Sequence, residues 1–315
     1  EYLWIQLDQN VRAKDSDSKL IEVERMEDFR SIGDISKKFL DYDGGFKIEE
    51  VTSTSGKNMS YAINKTMLRI NLEQPLKANT SISFKIKWWY NINDRMKVGG
   101  RSGYEYFEDE DNYLYTIAQW FPRMCVYNDV EGWQNKQFLG RGEFALPFGD
   151  YEVNITVPAD HILDGTGELQ NMKEVFSKEM IKRYNQAKKS YDTPVVIVTQ
   201  EEAEAAEKGF SDKTKTWKLK AENVRDFGFA TSRKFIWDMQ AVKLGNRDVM
   251  AVSMYPKEGN PLWEEFSTKA VALTLKSYSS HTFDYPYPKA ISVHAKNQGM
   301  EYPMICWNYG RPNED

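Results

Sequence analysis

The sequence has few of the residues that build metal clusters and disulfide frameworks. Its 315 residues include two cysteines, Cys125 and Cys306, and three histidines, His161, His281 and His294. No Cys-x-x-Cys pair occurs, so a zinc ribbon is not indicated; we expect two separate buried thiols, although sequence alone leaves their pairing open. No two histidines have the His-x-x-x-His spacing that places both rings on one helical face, and we interpret each as structural or exposed.

Long runs of one residue class are also missing. No Lys/Arg block suggests a nucleic-acid surface, and no apolar run approaches the roughly 18 residues of a membrane span. The net charge is −5, with 28% charged residues. Hydrophobic residues make up 41% of the chain and aromatic residues 14%, which is enough for real cores and argues against disorder. The composition therefore indicates a folded chain of two domains, or one large β domain with an appendage.

Strand patterns dominate the first 160 residues. Apolar and polar side chains alternate in "MLRINLEQPL" and "GDYEVNITVPAD", and "TSISFKIKWWYNI" places Ile82, Phe84, Ile86 and Trp88 on one face. The turn-rich segments "DYDGG", "STSGKN" and "VGGRSG" separate such runs. Short strands without helices between them predict an antiparallel sandwich or saddle.

Helical patterns appear after residue 170. "LQNMKEVFSKEMIKRYNQAKKS" has helical spacing, and "TQEEAEAAEKG" offers Thr199 as an N-cap with Glu202 as its capping-box partner. Further along, "NPLWEEFSTKAVALTLKSYSSHTF" predicts a long helix capped by Asn260. Its predicted apolar stripe consists of Trp263, Phe266, Ala270, Leu273 and Ser277.

The turn-rich segment "VKLGNRD" marks a joint near residue 245. Strands precede it, whereas one helix and two or three strands follow it. We therefore predict a β domain over 1–245 and a small α/β unit over 246–315. A unit of about 70 residues has difficulty burying a core by itself.

Two polar features have alternative interpretations. The stretch "YTIAQWFPRMCVYNDVEGWQN" (115–135) surrounds Gln119 and Arg123 with aromatic residues. It either lines a ligand cleft or packs as a corner between strands. "FEDEDN" (107–112) holds four carboxylates without the spacing of an EF-hand, and we interpret it as a solvated acidic turn.

Glu301 lies inside the strand-like run "KNQGMEYPMICWNYG". A carboxylate in such a run must be paired, solvated in a cleft or protonated. The physical argument alone leaves two interpretations open. Glu301 is either a strand-end residue that faces water or a salt-bridge partner, or it is a functional group in a cleft.

Gly299, Met300 and Glu301 in "QGMEYP" resemble the Gly-x-Met-Glu-Asn exopeptidase motif of the M1 family of zinc aminopeptidases, the gluzincin group. The sequence departs from the motif at Gln298, where the family usually has Gly, and at Tyr302, where it has Asn. The resemblance extends along the chain and is most specific over 101–160, which looks like the bacterial, Bacteroidetes-type branch.

The resemblance implies a mainly β fold. An antiparallel β-saddle over 1–245 would be followed, over 246–315, by the truncated α/β start of a thermolysin-like catalytic domain. The family's His-Glu-x-x-His helix is absent from the sequence, together with its third ligand Glu, its general base and its catalytic Tyr. We therefore expect the N-terminal part of a larger enzyme that lacks the rest of the catalytic domain and a leading strand.

The resemblance also assigns a substrate-binding site. In the family, the residue at Glu301 recognises the free α-amino group of a peptide substrate, and the strand that carries Gly299 and Met300 pairs with the substrate backbone. The Gln of "AQW", Gln119, corresponds to a residue that reaches the catalytic cleft. Zinc would be the cofactor of the full-length enzyme, and we expect no catalytic residue, no metal ligand and no bound zinc in this chain.

These expectations give a functional hypothesis and a rival. The first is the N-terminal portion of a zinc metallo-aminopeptidase that hydrolyses N-terminal peptide bonds and is inactive as an isolated chain. The resemblance implies a location in the periplasm or cell envelope, which the sequence itself does not determine. The rival is a non-catalytic β-sandwich module that binds a peptide, a glycan or a partner protein. An intact His-Glu-x-x-His motif downstream of residue 315 would distinguish them.

Overall fold

The computed structural model describes residues 1–18, 40–140 and 146–312. Its contacts divide the chain into two compact units. The first consists of Glu1–Gly103 and Gln119–Pro147, and the second of Tyr104–Ala118 and Phe148–Asp315. The structure is mainly antiparallel β, as the sequence predicts. In the described ranges, no helix is both long enough and apolar enough to cross a membrane.

The described part of the first unit contains one four-stranded sheet in the order β3-β4-β1-β8 and the strand pairs β2-β5 and β10-β9. Its elements are β1 Tyr2–Gln6, β2 Lys47–Ser53, β3 Tyr61–Asn64, β4 Met67–Asn71, β5 Phe84–Trp89, helix α1 Arg95–Val98, β8 Arg123–Met124, β9 Tyr127–Asn128 and β10 Gly132–Trp133, with a 3-10 turn at Asp8–Arg12.

The core of the first unit follows the predicted alternation of side chains. In β5, Phe84, Ile86 and Trp88 are half-buried, whereas the residues between them are exposed. The three pack against a buried apolar cluster drawn mainly from β1 and β4. Ile82, predicted for the same face, precedes the strand and is exposed. The period of two therefore predicts the buried face but not where the strand begins.

The second unit contains sheets in the orders β11-β15-β13, β12-β16-β7-β6 and β14-β17-β18-β19-β21-β20. Its strands are β6 Gly103–Phe107, β7 Asn112–Ile117, β11 Gly149–Pro158, β12 Ile162–Gly165, β13 Glu168–Leu169, β14 Val195–Val198, β15 Thr214–Val224, β16 Phe229–Ser232, β17 Ile236–Leu244, β18 Arg247–Tyr255, β19 Lys289–His294, β20 Met300–Tyr302 and β21 Ile305–Asn308. Its helices are α2 Met172–Val175, α3 Lys178–Ala187, α4 Gln200–Glu207 and α5 Thr268–His281, with a 3-10 turn at Lys257–Gly259.

The six-stranded sheet carries the features of interest. Strands β18, β19 and β21 are parallel to one another, and the other neighbours are antiparallel. Strands β17 and β18 pair along their whole length and are joined by a tight turn in which Gly245 has a φ of +54°. The domain boundary predicted near 245 falls at this turn, inside the second unit. The division into 1–245 and 246–315 stays a prediction.

The capping box predicted for the helix after Thr199 is confirmed. The Thr199 side chain accepts from the main-chain amide of Glu202, and the Glu202 carboxylate accepts from that of Thr199, so α4 begins with a complete capping box. The helical pattern after residue 170 is divided into α2 and α3, because Phe176 is extended and Ser177 caps the second helix.

The apolar stripe predicted for the long helix is wrong. Trp263 is buried, but Phe266 and Leu273 are 57% and 68% exposed, and the residues of α5 that pack on the sheet are Ala272 and Leu275. The cause is a π-helical turn at Trp263–Ser267, directly before α5. A π turn inserts an extra residue, so one period of 3.6 cannot describe both segments. Asn260 does accept a hydrogen bond from a main-chain amide of this turn.

Candidate functional site

Glu301 lies on the edge strand of the six-stranded sheet. Among the described residues, strand β20 pairs with β21 and forms one edge of the sheet. Met300 is fully buried, Glu301 is exposed and Tyr302 is half-buried. This is the alternation that a half-buried strand requires. The carboxylate therefore lies on the face opposite to the Met300 side chain.

That face borders a large cleft within the second unit. The cleft has a volume of about 880 Å³. One wall is formed by the π-helical turn and α5, which contribute Phe266, Thr274 and Tyr278, and the other by the last strands of the sheet. Among the described residues that line it, Glu301 is the only one with a formal charge at neutral pH. The cleft is thus a mostly apolar space with a single carboxylate at its border.

Three polar side chains continue from Glu301 across the floor of the cleft. Cys306 is the cross-strand partner of Glu301, and Ser292 is the partner of Cys306 on β19. The Asn308 amide donates to the hydroxyl of Ser292 at 2.8 Å. This stripe was not predicted, although the alternation of Cys306 and Asn308 with buried Ile305 and Trp307 in the sequence contained the signal.

The two thiols are separate, as expected. Both are free, but Cys125 is buried whereas Cys306 is only half-buried, so the expectation of two buried thiols is correct for one of them. Burial raises the pKa of Cys125 to about 12. Burial also raises the pKa of Cys306, against a lowering effect of its hydrogen bond with Asn308. Neither thiol is therefore activated as a nucleophile.

Gly299 precedes the edge strand and is exposed. A Cβ atom built on it would meet no heavy atom within 4 Å. By contrast, a Cβ on Gly165 would lie 2.6 Å from a main-chain oxygen. The described structure thus supplies no steric reason for a glycine at position 299.

Gln119 belongs to the first unit, whereas Gly299, Met300 and Glu301 belong to the second. Gln119 lies in a bend after β7, is half-buried and has a φ of +53°. The left-handed conformation is uncommon for a residue that is not glycine and is found at functional sites more often than elsewhere. Its role in substrate binding stays a prediction.

The remainder of the 115–135 stretch packs as a corner between strands. Trp120 contacts Trp88 with ring centroids 5.8 Å apart. Arg123, which the sequence places at the polar centre of the stretch, is buried and forms an ion pair with Asp8 at 2.7 Å. Of the two interpretations, the contacts favour the packed corner for these residues.

The interpretation of 107–112 as a solvated turn is wrong for Glu110. Its carboxylate pairs with Lys257 at 2.6 Å and with the fully buried Lys234 at 3.3 Å. Glu207 and Glu258 each pair with Lys234 at 2.9 Å. These four segments are distant in sequence, so no local spacing could have indicated the cluster. Glu108 and Asp109 are exposed, as predicted.

The histidines have structural environments. Burial lowers the pKa of His161 to about 4, with a smaller contribution from the charge of Arg233. His294 is fully buried against the ring of Trp263, and His281 lies at the exposed end of α5. In the parts of the chain that the structure describes, no group of three or more His, Cys, Asp or Glu side chains could hold a metal ion. These residues do not fit a zinc site.

Comparison with known proteins adds a fold relationship. No protein-family model and no curated protein sequence matches the chain. An M1 zinc metallopeptidase from Deinococcus radiodurans matches with a TM-score of 0.53 and 12% identity, covering 85% of this chain and 51% of that one. A mutant of that enzyme matches with a TM-score of 0.51, 11% identity and coverages of 84% and 50%. A mutant two-domain M1 zinc metallopeptidase bound to L-tryptophan matches with a TM-score of 0.50, 12% identity and coverages of 83% and 50%.

The chain spans about half the length of these solved structures. At 11–12% identity the likeness concerns the fold and does not transfer an activity. The Bacteroidetes-type assignment stays a prediction. This chain has the fold of the N-terminal part of M1 zinc metallopeptidases.

Proposed function

We propose that this chain is the N-terminal portion of an M1-type zinc metallo-aminopeptidase and that it binds the amino end of a peptide substrate. Glu301 holds the α-ammonium group, and the segment Gly299–Glu301 contacts the substrate backbone. Gln119 is a further substrate-binding residue. Supporting the proposal are the likeness to M1 structures, one of which is bound to an amino acid, L-tryptophan, and the local geometry of Glu301.

The observation that carries the proposal is the single charge of the cleft. An ammonium group that enters a mostly apolar space loses hydration and needs a compensating anion. Among the described residues that line the cleft, only Glu301 supplies one. A charge-assisted hydrogen bond between a carboxylate and an ammonium group contributes roughly 1.5–3 kcal/mol. An apolar cleft with one carboxylate therefore favours a ligand with one cationic end.

The position of β20 at the end of the sheet suits the backbone of an extended peptide. An exposed sheet edge offers unpaired main-chain groups to an added strand. Gly299 supports this interpretation, because the described fold has no steric need for glycine there. A substrate backbone that approaches closely would supply that need.

In the reaction, this chain binds and orients the peptide substrate. Residues outside the described ones would hold zinc in the full-length enzyme, and the zinc would supply the chemistry of peptide-bond hydrolysis. Orientation of the substrate amine determines which peptide bond is presented, so an amine-binding carboxylate makes the enzyme an exopeptidase. The rival hypothesis, a non-catalytic binding module, predicts ligand binding without turnover by the full-length protein.

The test is the variant Glu301→Gln in the full-length protein. It preserves the size of the side chain but removes its charge, so the charge-assisted bond to the ammonium group is lost. We expect kcat/KM for peptides with a free amino terminus to fall about 10- to 150-fold, the equivalent of the lost interaction. For peptides with an acetylated amino terminus, kcat/KM should be the same in Glu301→Gln as in the wild type.

Glu265→Gln is the matched control, because Glu265 is exposed in the same unit but does not line the cleft. It should leave kcat/KM unchanged. Equal kcat/KM values for wild type and Glu301→Gln on free-amine peptides would show that this carboxylate does not bind the amine.

A further inference from the structure

Trp263 joins the two walls of the cleft that Glu301 borders. It begins the π-helical turn Trp263–Ser267 on one wall, and its indole Nε1 donates to the main-chain oxygen of Gly310 at 2.7 Å. Gly310 follows strand β21, which contributes to the opposite wall. All of these residues belong to the second unit. One hydrogen bond therefore links the helical wall of the cleft to the end of the sheet.

Packing leaves the indole ring of Trp263 little freedom to move. Trp263 is 4% exposed, and the centroid of its ring lies 5.8 Å from that of Tyr255 and 5.1 Å from that of His294. A Cβ atom built on Gly259 would lie 2.8 Å from Trp263 Cδ1, which is too close for a real contact. A side chain at position 259 would therefore displace the ring. Packing fixes the ring, and the bond to Gly310 fixes its nitrogen.

The turn that begins at Trp263 places Phe266 in the wall of the cleft. Phe266 lines the cleft, and its side chain is largely exposed. π-helical turns are rare and frequently occur at functional sites. Two contacts anchor this one: the indole of Trp263 at its start and, at its end, a hydrogen bond of 2.7 Å between the hydroxyls of Ser267 and Ser253. The position of Phe266 between them depends on both anchors.

We propose that Trp263 is a positioning residue, which fixes the π-helical turn and thereby holds Phe266 against the apolar part of a peptide substrate. This inference rests on the proposed binding of the substrate in the cleft beside Glu301. Glu301 supplies a charge for the substrate amine, whereas Phe266 supplies an apolar surface for the substrate side chain. Without the bond to Gly310, the turn is free to shift relative to β21, and the contact with Phe266 is weakened.

The experiment is a double-mutant cycle in the full-length protein with L-leucine p-nitroanilide as substrate. Trp263→Phe keeps an aromatic ring and removes the N–H group that bonds to Gly310. We expect KM to rise about 2- to 10-fold, the range for one lost neutral hydrogen bond, with kcat nearly unchanged. Phe266→Ala should raise KM about 3- to 10-fold through the lost apolar contact. In the Phe266→Ala background, Trp263→Phe should raise KM less than 2-fold further, because its effect passes through Phe266.

Trp217→Phe is the matched control. Trp217 is a buried tryptophan of the same unit that does not line the cleft, and among the described residues its indole nitrogen has no hydrogen-bond partner. The substitution removes the same atoms as Trp263→Phe without breaking a hydrogen bond. A purely structural loss lowers the folded fraction, and with it the apparent kcat, without changing KM. Trp217→Phe should therefore leave KM unchanged.

Gly259→Ala tests the same anchor while it keeps the tryptophan, and it serves if Trp263→Phe folds poorly. The added Cβ atom displaces the indole from its position, so KM should rise as it does in Trp263→Phe. Urea unfolding of each variant measures its folded fraction, of which KM is independent.

Each outcome decides between the proposals. A raised KM in Phe266→Ala with an unchanged KM in Trp263→Phe and Gly259→Ala overturns the positioning role alone, as do additive effects in the cycle or an equal rise of KM in Trp217→Phe. An unchanged KM in Phe266→Ala overturns the substrate contact of Phe266 and the positioning role with it, while a loss of kcat/KM in Glu301→Gln preserves the proposed function. If neither Phe266→Ala nor Glu301→Gln changes the kinetics, the proposed function itself is overturned.

Discussion

Replacing Lys234 with methionine should strongly destabilise the second unit. Lys234 is fully buried, and its ammonium group lies 2.9 Å from Glu207, 2.9 Å from Glu258 and 3.3 Å from Glu110. Lys257 is the second cation of the cluster and contacts Glu110 and Glu207. The variant preserves most of the side-chain volume but leaves three carboxylates around a single ammonium group.

The expected magnitude follows from the burial. Removing one member of a buried ion pair costs about 3–5 kcal/mol, because the remaining charge stays uncompensated in a poorly solvated site. Glu207 is 4% exposed, so water can solvate it little after the substitution. Lys234 also lies 4.5 Å from the ring centroid of Phe107, and this cation–π contact is lost as well. A domain with a total stability of 5–15 kcal/mol would lose a large part of it.

The loss should become smaller at acidic pH. Burial by itself would raise the pKa of Glu110, but its hydrogen bond with Lys257 and the charges of both lysines outweigh burial and lower the pKa. In the wild type, the stability that Glu110 contributes is present above its ordinary pKa and is lost as pH falls through the lowered value. In the variant, protonation instead relieves repulsion between carboxylates. The stability difference between the two proteins should therefore narrow between pH 7 and pH 4.

Urea unfolding of both proteins at pH 7 and pH 4 measures the two differences. Lys218→Met is the control, because Lys218 pairs with Glu174 at the surface, where both side chains are largely exposed, and should cost less than about 1 kcal/mol. The reasoning would be refuted if Lys234→Met lowered the free energy of unfolding by less than about 1 kcal/mol at pH 7. It would also be refuted if the difference in free energy of unfolding between the two proteins were as large at pH 4 as at pH 7, or larger.

Gly299→Ala should change the free energy of unfolding by less than about 1 kcal/mol, because a Cβ atom at this position meets open space. The same variant should raise KM for peptides with a free amino terminus. An unchanged KM would contradict the close approach of a substrate backbone to Gly299. Burial raises the pKa of Asp238 to about 6 despite hydrogen bonds from Thr268 and Tyr255. Because this pKa lies above the ordinary value, the free energy of unfolding should fall as pH rises from about 4 through 6. Asp238→Asn should therefore flatten the change of Tm over that range, and an unaltered slope would exclude Asp238 as its source. The isolated 315-residue chain, supplied with zinc, should not hydrolyse aminoacyl p-nitroanilides, and chelator-sensitive turnover by pure chain would contradict this.

Local patterns predicted much of the fold. The period of two predicted the buried face of β5, and the Thr199–Glu202 capping box predicted the start of α4. Both depend on residues that are neighbours in sequence, which is why they could be found there. The stripe on the long helix failed, because the π-helical turn at Trp263–Ser267 is a local change of period that no residue type in the segment specifies.

The site could be predicted only in part. The sequence singled out Glu301, because a carboxylate in an apolar run requires explanation and its neighbours resemble a known motif; its binding role stays a prediction. The hydrogen bond from Trp263 to Gly310 was not identifiable, because the two residues are 47 positions apart. For the same reason, the interpretation of Glu110 as solvated failed: Lys234, Lys257 and Glu207 reach it only after the chain has folded.

The presence or absence of a cationic partner distinguishes Asp8 and Glu207 from the candidate functional carboxylate, Glu301. Asp8 is buried and pairs with Arg123, and Glu207 is buried and pairs with two lysines, so each carboxylate is neutralised by a cation from the chain itself. Glu301 differs. It is exposed at the border of an apolar cleft, and in the described ranges its neighbours across the strands are the polar but uncharged Cys306 and Ser292. Unlike Asp8 and Glu207, Glu301 borders an apolar cleft, and we expect the cation that complements it to arrive with the ligand.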